Sequence, residues 1–164
     1  MSETSLRPAV FLDRDGVINH DPGDYTTSVE EFTILPGVIE TLQKWTKQGY
    51  CIIVITNQGG IARDRYSLAD FHKIDKYMAA EFHKAGVDYI ETYFCPHHDL
   101  ISHCLCRKPH PGMIEKAIHR HSIDPKRSVM IGDKWRDVES GEAAGVRGIK
   151  IEVNQGLKEI DLGF

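Results

Sequence analysis

The stretch that decides the fold is FLDRDGVIN, residues 11–19. Its first residues end a short apolar segment, residues 9–12, which has the composition of a buried strand. Asp13 and Asp15 follow at once, with a single residue between them. Carboxylates are costly beside a core unless they have partners, so a buried strand that runs into two of them indicates a functional site.

Strand-like and helix-like segments alternate along the rest of the chain. This alternation predicts an α/β fold, in which crossover helices cover both faces of a parallel, Rossmann-like sheet. We expect residues 1–164 to form one domain, with no insertion long enough for a large cap domain and a loop at 95–106 that binds metal. The predicted strands are 9–12, 51–55, 89–94, 128–131 and 148–151, and the predicted helices are 37–48, 67–85, 111–121 and 137–144.

The composition is that of an ordinary globular protein, with 164 residues, 27% charged residues and a net charge of −4. A chain with this balance has no basic field that would attract nucleic acid or an anionic membrane. No apolar run has the length of a membrane span, and residues 1–7 lack the apolar core of a signal peptide. We therefore expect a cytoplasmic monomer with a small-molecule partner.

Asp13 and Asp15 can face one ligand together, because residues i and i+2 of an extended segment point to the same side. Asp133 follows another predicted strand, in GDK, and parallel strands bring their carboxyl ends to one edge of the sheet. Clustered carboxylates repel one another unless a cation lies among them, and oxygen ligands suit Mg²⁺. The sequence therefore predicts a magnesium site at this edge.

A phosphate ester is the natural substrate beside such an ion. The turn in TNQGG, residues 56–60, can offer backbone N–H groups to phosphate oxygens, and Lys108 and Lys134 supply positive charge. Asp13 is then placed to attack phosphorus, while Asp15 can protonate the leaving oxygen and later deprotonate water.

Three other interpretations of the sequence are open. The DRDG segment alone fits a simple turn, but TNQGG, RKP and GDKWRD follow it in order, each beside a predicted strand or helix. A receiver-like signalling domain would also phosphorylate an aspartate, although it has no need of an acid/base such as Asp15. A zinc-organised nucleic-acid module is disfavoured by the acidic charge balance.

The four segments DRDGVIN, ITN, CRKP and GDKWRD resemble the four motifs of the haloacid dehalogenase superfamily of phosphatases. More closely, FLDRDGVIN, TNQGGIAR, CPHH and CRKPHPGM are similar to the D-glycero-D-manno-heptose 1,7-bisphosphate 7-phosphatase subfamily, a near relative of histidinol-phosphate phosphatase. The resemblance extends over residues 10–151. It implies removal of the 7-phosphate through an aspartyl-phosphate, with histidinol phosphate as the alternative substrate.

The resemblance also implies a role for each matching residue. Asp13 is implied as the nucleophile and a Mg²⁺ ligand, Asp15 as the acid/base and a ligand through its backbone carbonyl, and Asp133 as a further Mg²⁺ ligand. The implied phosphoryl contacts are Thr56 and Lys108, and the implied substrate contacts are Asn57, Arg107 and Lys134. Asp137 is implied as a residue that orients Lys108 or the metal-bound waters. Asp21 matches a position that contacts sugar hydroxyls, in a run one residue longer than the family's. Arg63 and Arg65 are either solvated charges or a clamp for a second phosphate.

The segment CPHHDLISHCLC, residues 95–106, carries a second candidate metal site. Cys95, His97, Cys104 and Cys106 form a Cys-x-His and a Cys-x-Cys pair that can hold one tetrahedral Zn²⁺, with His98 and His103 as competing ligands. The subfamily resemblance implies a structural Zn²⁺ at the same four positions, although the segment between the pairs is shorter than is usual there. Such a metal would fix Arg107 and Lys108, which come directly after it.

Overall fold

A five-stranded parallel sheet organises the computed structural model, which describes residues 5–164. The strands are β1 (Ala9–Leu12), β2 (Cys51–Asn57), β3 (Tyr89–Cys95), β4 (Val129–Gly132) and β5 (Arg147–Lys150), and the helices are α1 (Val38–Lys47), α2 (Leu68–Lys84), α3 (Gly112–His121) and α4 (Trp135–Ala143). A short 3₁₀ helix, Pro125–Arg127, precedes β4. The strand order is β3-β2-β1-β4-β5, so β1 is central.

Both faces of the sheet are buried. All four residues of β1 are inaccessible to solvent, and its alternate side chains enter two different cores. Val10 and Leu12 pack with α1 and α2, whereas Ala9 and Phe11 pack with α3. This arrangement confirms the predicted α/β class, because only a strand covered on both sides reads as a continuous apolar run.

Local hydrogen bonds explain where α2 and α4 begin and where β2 ends. The Ser67 hydroxyl accepts a hydrogen bond from the amide of Asp70, whose carboxylate accepts one from the amide of Ser67, so a capping box starts α2 as the sequence indicates. Helix α4 begins at Trp135, two residues before the prediction, because Asp137 caps the amide of Lys134. Strand β2 continues to Asn57 because Thr56 and Asn57 still pair with β3.

The chain changes direction across the sheet at β1, which has β2 on one side and β4 on the other. In sheets of this kind the crevice beyond the carboxyl ends of the strands is the usual ligand site. The segments after β1, β2 and β4 meet there, and the described residues contain no large cap domain above them.

Among the described helices, none combines the length and apolar character that crossing a membrane requires.

Candidate active site

A buried lysine lies at the centre of the site. The Nζ atom of Lys108 is 2.9 Å from Oδ1 of Asp13 and 2.7 Å from Oδ1 of Asp137, and it donates to the carbonyl oxygen of Ile55 at 2.7 Å. We call Asp13, Lys108, Asp133 and Asp137 the lysine–carboxylate cluster; all four are buried. A charge buried this deeply is stable only when it is paired and hydrogen-bonded, as it is here.

The pKa values in this cluster follow from burial and from charge pairing. Burial raises the pKa of Asp13 to about 7, against the opposing pull of the Lys108 ammonium and with a further push from Asp137. Burial alone would lower the pKa of Lys108, but the two carboxylates outweigh it and the net shift is upward. Lys108 therefore stays protonated and holds its charge beside the predicted nucleophile.

Asp137 fixes the position of Lys108 and also begins α4. One carboxylate oxygen pairs with Lys108, while the other accepts a hydrogen bond from the backbone amide of Lys134 at 2.9 Å. A Cβ on Gly132 would lie 2.1 Å from the Cβ of Asp137, so only glycine lets this carboxylate approach the end of β4. The contact between Asp137 and Lys108 is the one that its predicted role of orienting Lys108 requires, and its predicted role toward metal-bound waters stays a prediction.

The oxygens of this cluster fit a divalent cation. One carboxylate oxygen each from Asp13, Asp133 and Asp137 lie within 4.8 Å of one another. Lys134 Nζ is 3.0 Å from Oδ2 of Asp133, but the buried Oδ1 of Asp133 has no hydrogen-bond partner among residues 5–164. A hard cation such as Mg²⁺ would satisfy that oxygen and offset the repulsion between the carboxylates.

Asp15 lies beside the cluster, with its side chain 30% exposed at the edge of the cleft. Its carboxylate accepts hydrogen bonds from Arg14 at 3.0 Å, from Asn19 at 3.0 Å and from Gln58 at 3.1 Å. Burial pushes its pKa upward, but the Arg14 guanidinium and the two amides more than offset this, and the net pKa is lowered. The predicted acid/base is therefore held by three donors, and its predicted backbone contact with Mg²⁺ stays a prediction.

Thr56 and Asn57 end β2 and point to different partners. Thr56 is 1% exposed, and its hydroxyl accepts a hydrogen bond from Gln58 at 2.9 Å. The amide of Asn57 donates to the carbonyl of Lys108 at 3.1 Å and accepts from its N–H at 3.0 Å. Asn57, predicted as a substrate contact, thus holds the backbone that carries Lys108.

An open cleft of about 470 Å³ has Asp15, Asn57 and Gln58 among its lining residues. Of the predicted substrate residues, Asp21, Asn57 and Lys134 line it, together with Arg63 and Arg65. Its other lining residues are Asp15, Gly23, Asp24, Tyr25, Thr26, Gln58 and Arg136. The wall therefore carries four cationic side chains in the same cleft as Asp15, the predicted acid/base.

These cations differ in their partners. Arg65 pairs with Asp24 at 2.9 Å, whereas Arg63 makes no ion pair with a described residue and contacts the Tyr25 hydroxyl at 3.4 Å. Arg136 likewise makes no ion pair within residues 5–164 and is exposed. Asp21 accepts from the amide of Gly23, so its carboxylate also shapes its own turn.

The four predicted zinc ligands come together in the loop after β3. In this cysteine–histidine cluster of Cys95, His97, Cys104 and Cys106, Cys95 Sγ is 3.2 Å from Cys106 Sγ and 3.6 Å from Cys104 Sγ, and His97 Nδ1 is 3.3 Å from Cys106 Sγ. A tetrahedron with metal–sulfur bonds of about 2.3 Å has sulfur–sulfur edges of about 3.8 Å. Burial raises the pKa of the Cys95 thiol, so a cation is needed to hold it as a thiolate. The geometry and donor set fit one tetrahedral metal ion.

The alternative ligands lie outside this cluster. His98 accepts a hydrogen bond from the amide of Leu100, and neither His98 nor His103 has an atom in the group of four. Arg107, predicted to reach toward substrate, instead donates to the His97 carbonyl at 3.1 Å and to Asp99 at 3.3 Å. Its side chain is 12% exposed and does not line the cleft.

The sequence did not identify four side chains of the site, Arg14, Gln58, Tyr66 and Arg136. Arg14 and Gln58 lie inside the quoted motifs, and Arg136 lies in GDKWRD, but nothing in the pattern distinguishes them from solvated polar residues. Tyr66 lies outside every motif, and its hydroxyl donates to Gln58. Gln58 contacts Arg14 and Asp15, more than 40 positions earlier in the sequence, and a linear pattern does not show such contacts.

The chain is similar in sequence to a hydrolase family model and to bacterial phosphatases. A family model described as HAD-hydrolase-like matches residues 105–159. The D-glycero-beta-D-manno-heptose-1,7-bisphosphate 7-phosphatase of Vibrio cholerae is 43% identical over 92% of this chain and 83% of that protein. The D-glycero-alpha-D-manno-heptose-1,7-bisphosphate 7-phosphatase of Photorhabdus laumondii is 42% identical over 83% of this chain and 77% of that protein.

A solved structure shares the fold. The D,D-heptose 1,7-bisphosphate phosphatase of B. bronchiseptica, crystallised with magnesium and phosphate, is 31% identical and has a TM-score of 0.78. The match covers 86% of this chain and 78% of that one. Magnesium and phosphate in this neighbour agree with the oxygen-rich cluster at the ends of β1 and β4.

Proposed function

Since the chain belongs to the heptose bisphosphate phosphatase family of haloacid dehalogenase-like hydrolases, we propose that it removes the 7-phosphate of D-glycero-D-manno-heptose 1,7-bisphosphate. The single observation that carries this proposal is the lysine–carboxylate cluster, in which Lys108 holds Asp13 at 2.9 Å beside a cleft with four cationic side chains. A nucleophile with an adjacent buried cation is the arrangement that phosphoryl transfer requires.

The proposed reaction uses four side chains, Asp13, Asp15, Thr56 and Lys108. A carboxylate oxygen of Asp13 attacks phosphorus, and the bond between phosphorus and the sugar oxygen breaks. The protonated form of Asp15, which its lowered pKa makes the minor form near neutral pH, gives a proton to that oxygen. Asp15 then takes a proton from water, whose oxygen attacks the aspartyl-phosphate and releases inorganic phosphate. Lys108 and Thr56 hold the phosphoryl oxygens during both steps.

A Mg²⁺ ion is the proposed catalytic cofactor. Asp13 and Asp133 would hold it, with the backbone carbonyl of Asp15 as a third ligand, and Asp137 would orient Lys108 beside it. When bound, Mg²⁺ offsets the charge of the carboxylates and of the phosphate oxygens. The unpaired, buried Oδ1 of Asp133 supports this ligand set.

A Zn²⁺ ion in the cysteine–histidine cluster is the proposed structural cofactor. Four protein ligands leave no open position on the metal, so it would order the loop and take no part in the reaction. The loop joins β3 to Arg107 and Lys108, and the Arg107 guanidinium is bonded to the carbonyl of His97. A metal on His97 thus restrains the segment that delivers Lys108 to the active site.

We infer that the cationic side chains of the cleft bind the second phosphate of the substrate. We place it near Arg63, Lys134 and Arg136, since Arg63 and Arg136 make no ion pairs within the described part of the chain. Arg107 is a further contact if its guanidinium turns from Asp99 toward the cleft. Histidinol phosphate carries a cationic amine in place of the second phosphate, and these side chains would repel it.

We also propose that the enzyme works as a cytoplasmic monomer formed by one domain. One sheet with a core on each face supports the single domain. Four free cysteines, three of them in the cysteine–histidine cluster, suit a reducing compartment. Size-exclusion chromatography with light scattering tests the monomer.

A phosphate-release screen tests the proposed substrate. The candidate substrates are both anomers of the heptose bisphosphate, histidinol phosphate and simple sugar monophosphates, each with Mg²⁺. We expect the highest kcat/KM for a heptose bisphosphate, and the two anomers belong in the screen because relatives of both kinds are 42–43% identical. Equal or higher kcat/KM for histidinol phosphate would overturn the substrate but leave the reaction class standing.

A further inference from the structure

Gln58 joins two functional groups of the site through one nitrogen atom. It is 2% exposed, and its Nε2 donates to Oδ2 of Asp15 at 3.1 Å and to Oγ1 of Thr56 at 2.9 Å. The side-chain amide therefore donates both of its N–H groups, one to the acid/base Asp15 and one to the phosphoryl-binding hydroxyl of Thr56.

The opposite end of this amide faces two donors. Oε1 of Gln58 accepts a hydrogen bond from the Tyr66 hydroxyl, and Nη2 of Arg14 lies 3.5 Å from the same oxygen. Arginine can only donate and an ionised carboxylate can only accept, so these neighbours require oxygen toward Arg14 and nitrogen toward Asp15. The amide has one orientation that satisfies all of its contacts.

That orientation determines what Thr56 can do. A hydroxyl carries one proton and can accept as well as donate. Because Thr56 accepts from Gln58, its proton is left for another acceptor. With the amide reversed, Oε1 would take the proton of Thr56 and face the carboxylate of Asp15, which would repel it.

The position of Tyr66 is built into the fold. It directly precedes Ser67, the first residue of the capping box of α2, and it is 8% exposed. A Cβ on Gly60 would lie 2.3 Å from Cε1 of the Tyr66 ring, so this glycine lets the ring reach Gln58. The start of α2 is thereby connected to the phosphate-binding turn after β2.

We propose that Tyr66 is a positioning residue that, through the Gln58 amide, presets the Thr56 hydroxyl as a hydrogen-bond donor to the transferred phosphoryl group. Arg14 supports the same amide orientation from the other side. The inference rests on the proposed function in one respect, namely that Thr56 contacts the phosphoryl oxygens. A donor set before substrate arrives acts mainly in the transition state, because its orientation needs no rearrangement during the reaction.

A double-mutant cycle tests this coupling. Tyr66→Phe should lower kcat roughly fivefold and leave KM within about twofold, as expected for one neutral hydrogen bond that acts on the transition state. In a Thr56→Val background, which has no hydroxyl to orient, Tyr66→Phe should change kcat by less than about twofold. Tyr50→Phe is the matched control, because Tyr50 is also 8% exposed but lines a cavity beside α1, and it should not change kcat.

The possible outcomes separate this inference from the proposed function. Unchanged kcat in Tyr66→Phe, or an equal loss in both backgrounds, would overturn it, since a structural effect adds independently. Should Tyr66→Phe fail to fold, Gln58→Leu carries the test, because it removes the amide without placing a carboxylate beside Asp15. A loss that is no smaller in the Thr56→Val background would then overturn the inference. The cycle uses the phosphomonoester that the wild type hydrolyses fastest, so a wild type without phosphatase activity would overturn the proposed function instead.

Discussion

The lysine–carboxylate cluster and the cysteine–histidine cluster both gather candidate metal ligands, but the fold supports them differently. Three members of the first follow the ends of buried strands or begin α4, and a lysine pairs with two of the carboxylates. The second lies mainly on a loop whose apolar side chains face solvent, with Leu100, Ile101 and Leu105 at 78%, 62% and 83% exposure. One cluster is built by the core, whereas the other has little core of its own.

This difference separates the proposed functions of the two metals. Removal of Mg²⁺ would leave the first cluster partly neutralised by Lys108, so catalysis should stop while the fold survives. Removal of Zn²⁺ would leave the loop with no comparable source of order. Its loss should therefore affect stability and activity together.

The largest expected effect comes from the core-built cluster. Asp13→Asn should lower kcat by more than ~10⁴-fold, because an amide cannot attack phosphorus as a carboxylate does. Phosphate release measures the loss, and circular dichroism should show an unchanged fold. Glu115→Gln, the same carboxylate-to-amide change on the exposed side of α3, serves as the control. Near-normal phosphate release by Asp13→Asn would rule out the covalent mechanism.

The second effect breaks the loop-built cluster. Cys104→Ser should reduce bound zinc from one atom per chain toward zero and lower the melting temperature. It should also cut kcat/KM by ~10²-fold, because small displacements of Lys108 are costly. Elemental analysis and thermal unfolding measure the first two results. The control is Cys51→Ala, a cysteine of β2 outside the cluster. Wild-type protein that is purified without chelators and contains no zinc would contradict the assignment.

The third effect concerns the pH dependence of Mg²⁺ binding at the core-built cluster. Burial raises the pKa of Asp13 from 3.8 to about 7 in the metal-free protein, so Mg²⁺ must displace a proton below pH 7. Mg²⁺ affinity should fall up to roughly tenfold per pH unit below this value and level off above it. Titration calorimetry in two buffers of different ionisation enthalpy measures the proton released.

The same shift affects stability without the metal. A folded-state pKa above the unfolded value means that folding favours the protonated form, so this carboxyl favours folding at pH 4 and loses that contribution as pH rises toward 7. Thermal unfolding of zinc-loaded protein, dialysed free of Mg²⁺ without a chelator, should show this loss, and added Mg²⁺ should offset it increasingly at higher pH. A Mg²⁺ affinity independent of pH from 5 to 8 would contradict the raised pKa.

The smallest expected effect lies between the two clusters. Arg107→Ala should raise KM for the bisphosphate roughly two- to fivefold and leave kcat nearly unchanged. The proposed contact, made when Arg107 turns from Asp99 toward the cleft, would serve ground and transition states alike. It should have little effect on small monophosphates. Arg120→Ala, an exposed arginine of α3, is the control. A larger fall in kcat than rise in KM would mean that Arg107 acts by positioning Lys108.

The sequence alone determined the fold class and the two sets of candidate metal ligands. Strand periodicity and the i, i+2 relation of Asp13 and Asp15 are local, and parallel strands must bring their carboxyl ends to one edge. The spacing of the two cysteine pairs is local as well. Patterns of this kind can be recognised in the linear sequence because they depend only on residues that are close together along the chain.

The tertiary structure decided how the groups are used. In the folded chain the Arg107 guanidinium donates to His97 and Asp99. Asn57 bonds to the backbone of Lys108, and the Tyr66 hydroxyl donates to Gln58. Each of these contacts depends on a side-chain rotamer that packing selects, or on residues that only the folded sheet brings together. A linear pattern shows which polar residues follow a strand, whereas the direction in which each donor points is set by its neighbours in space.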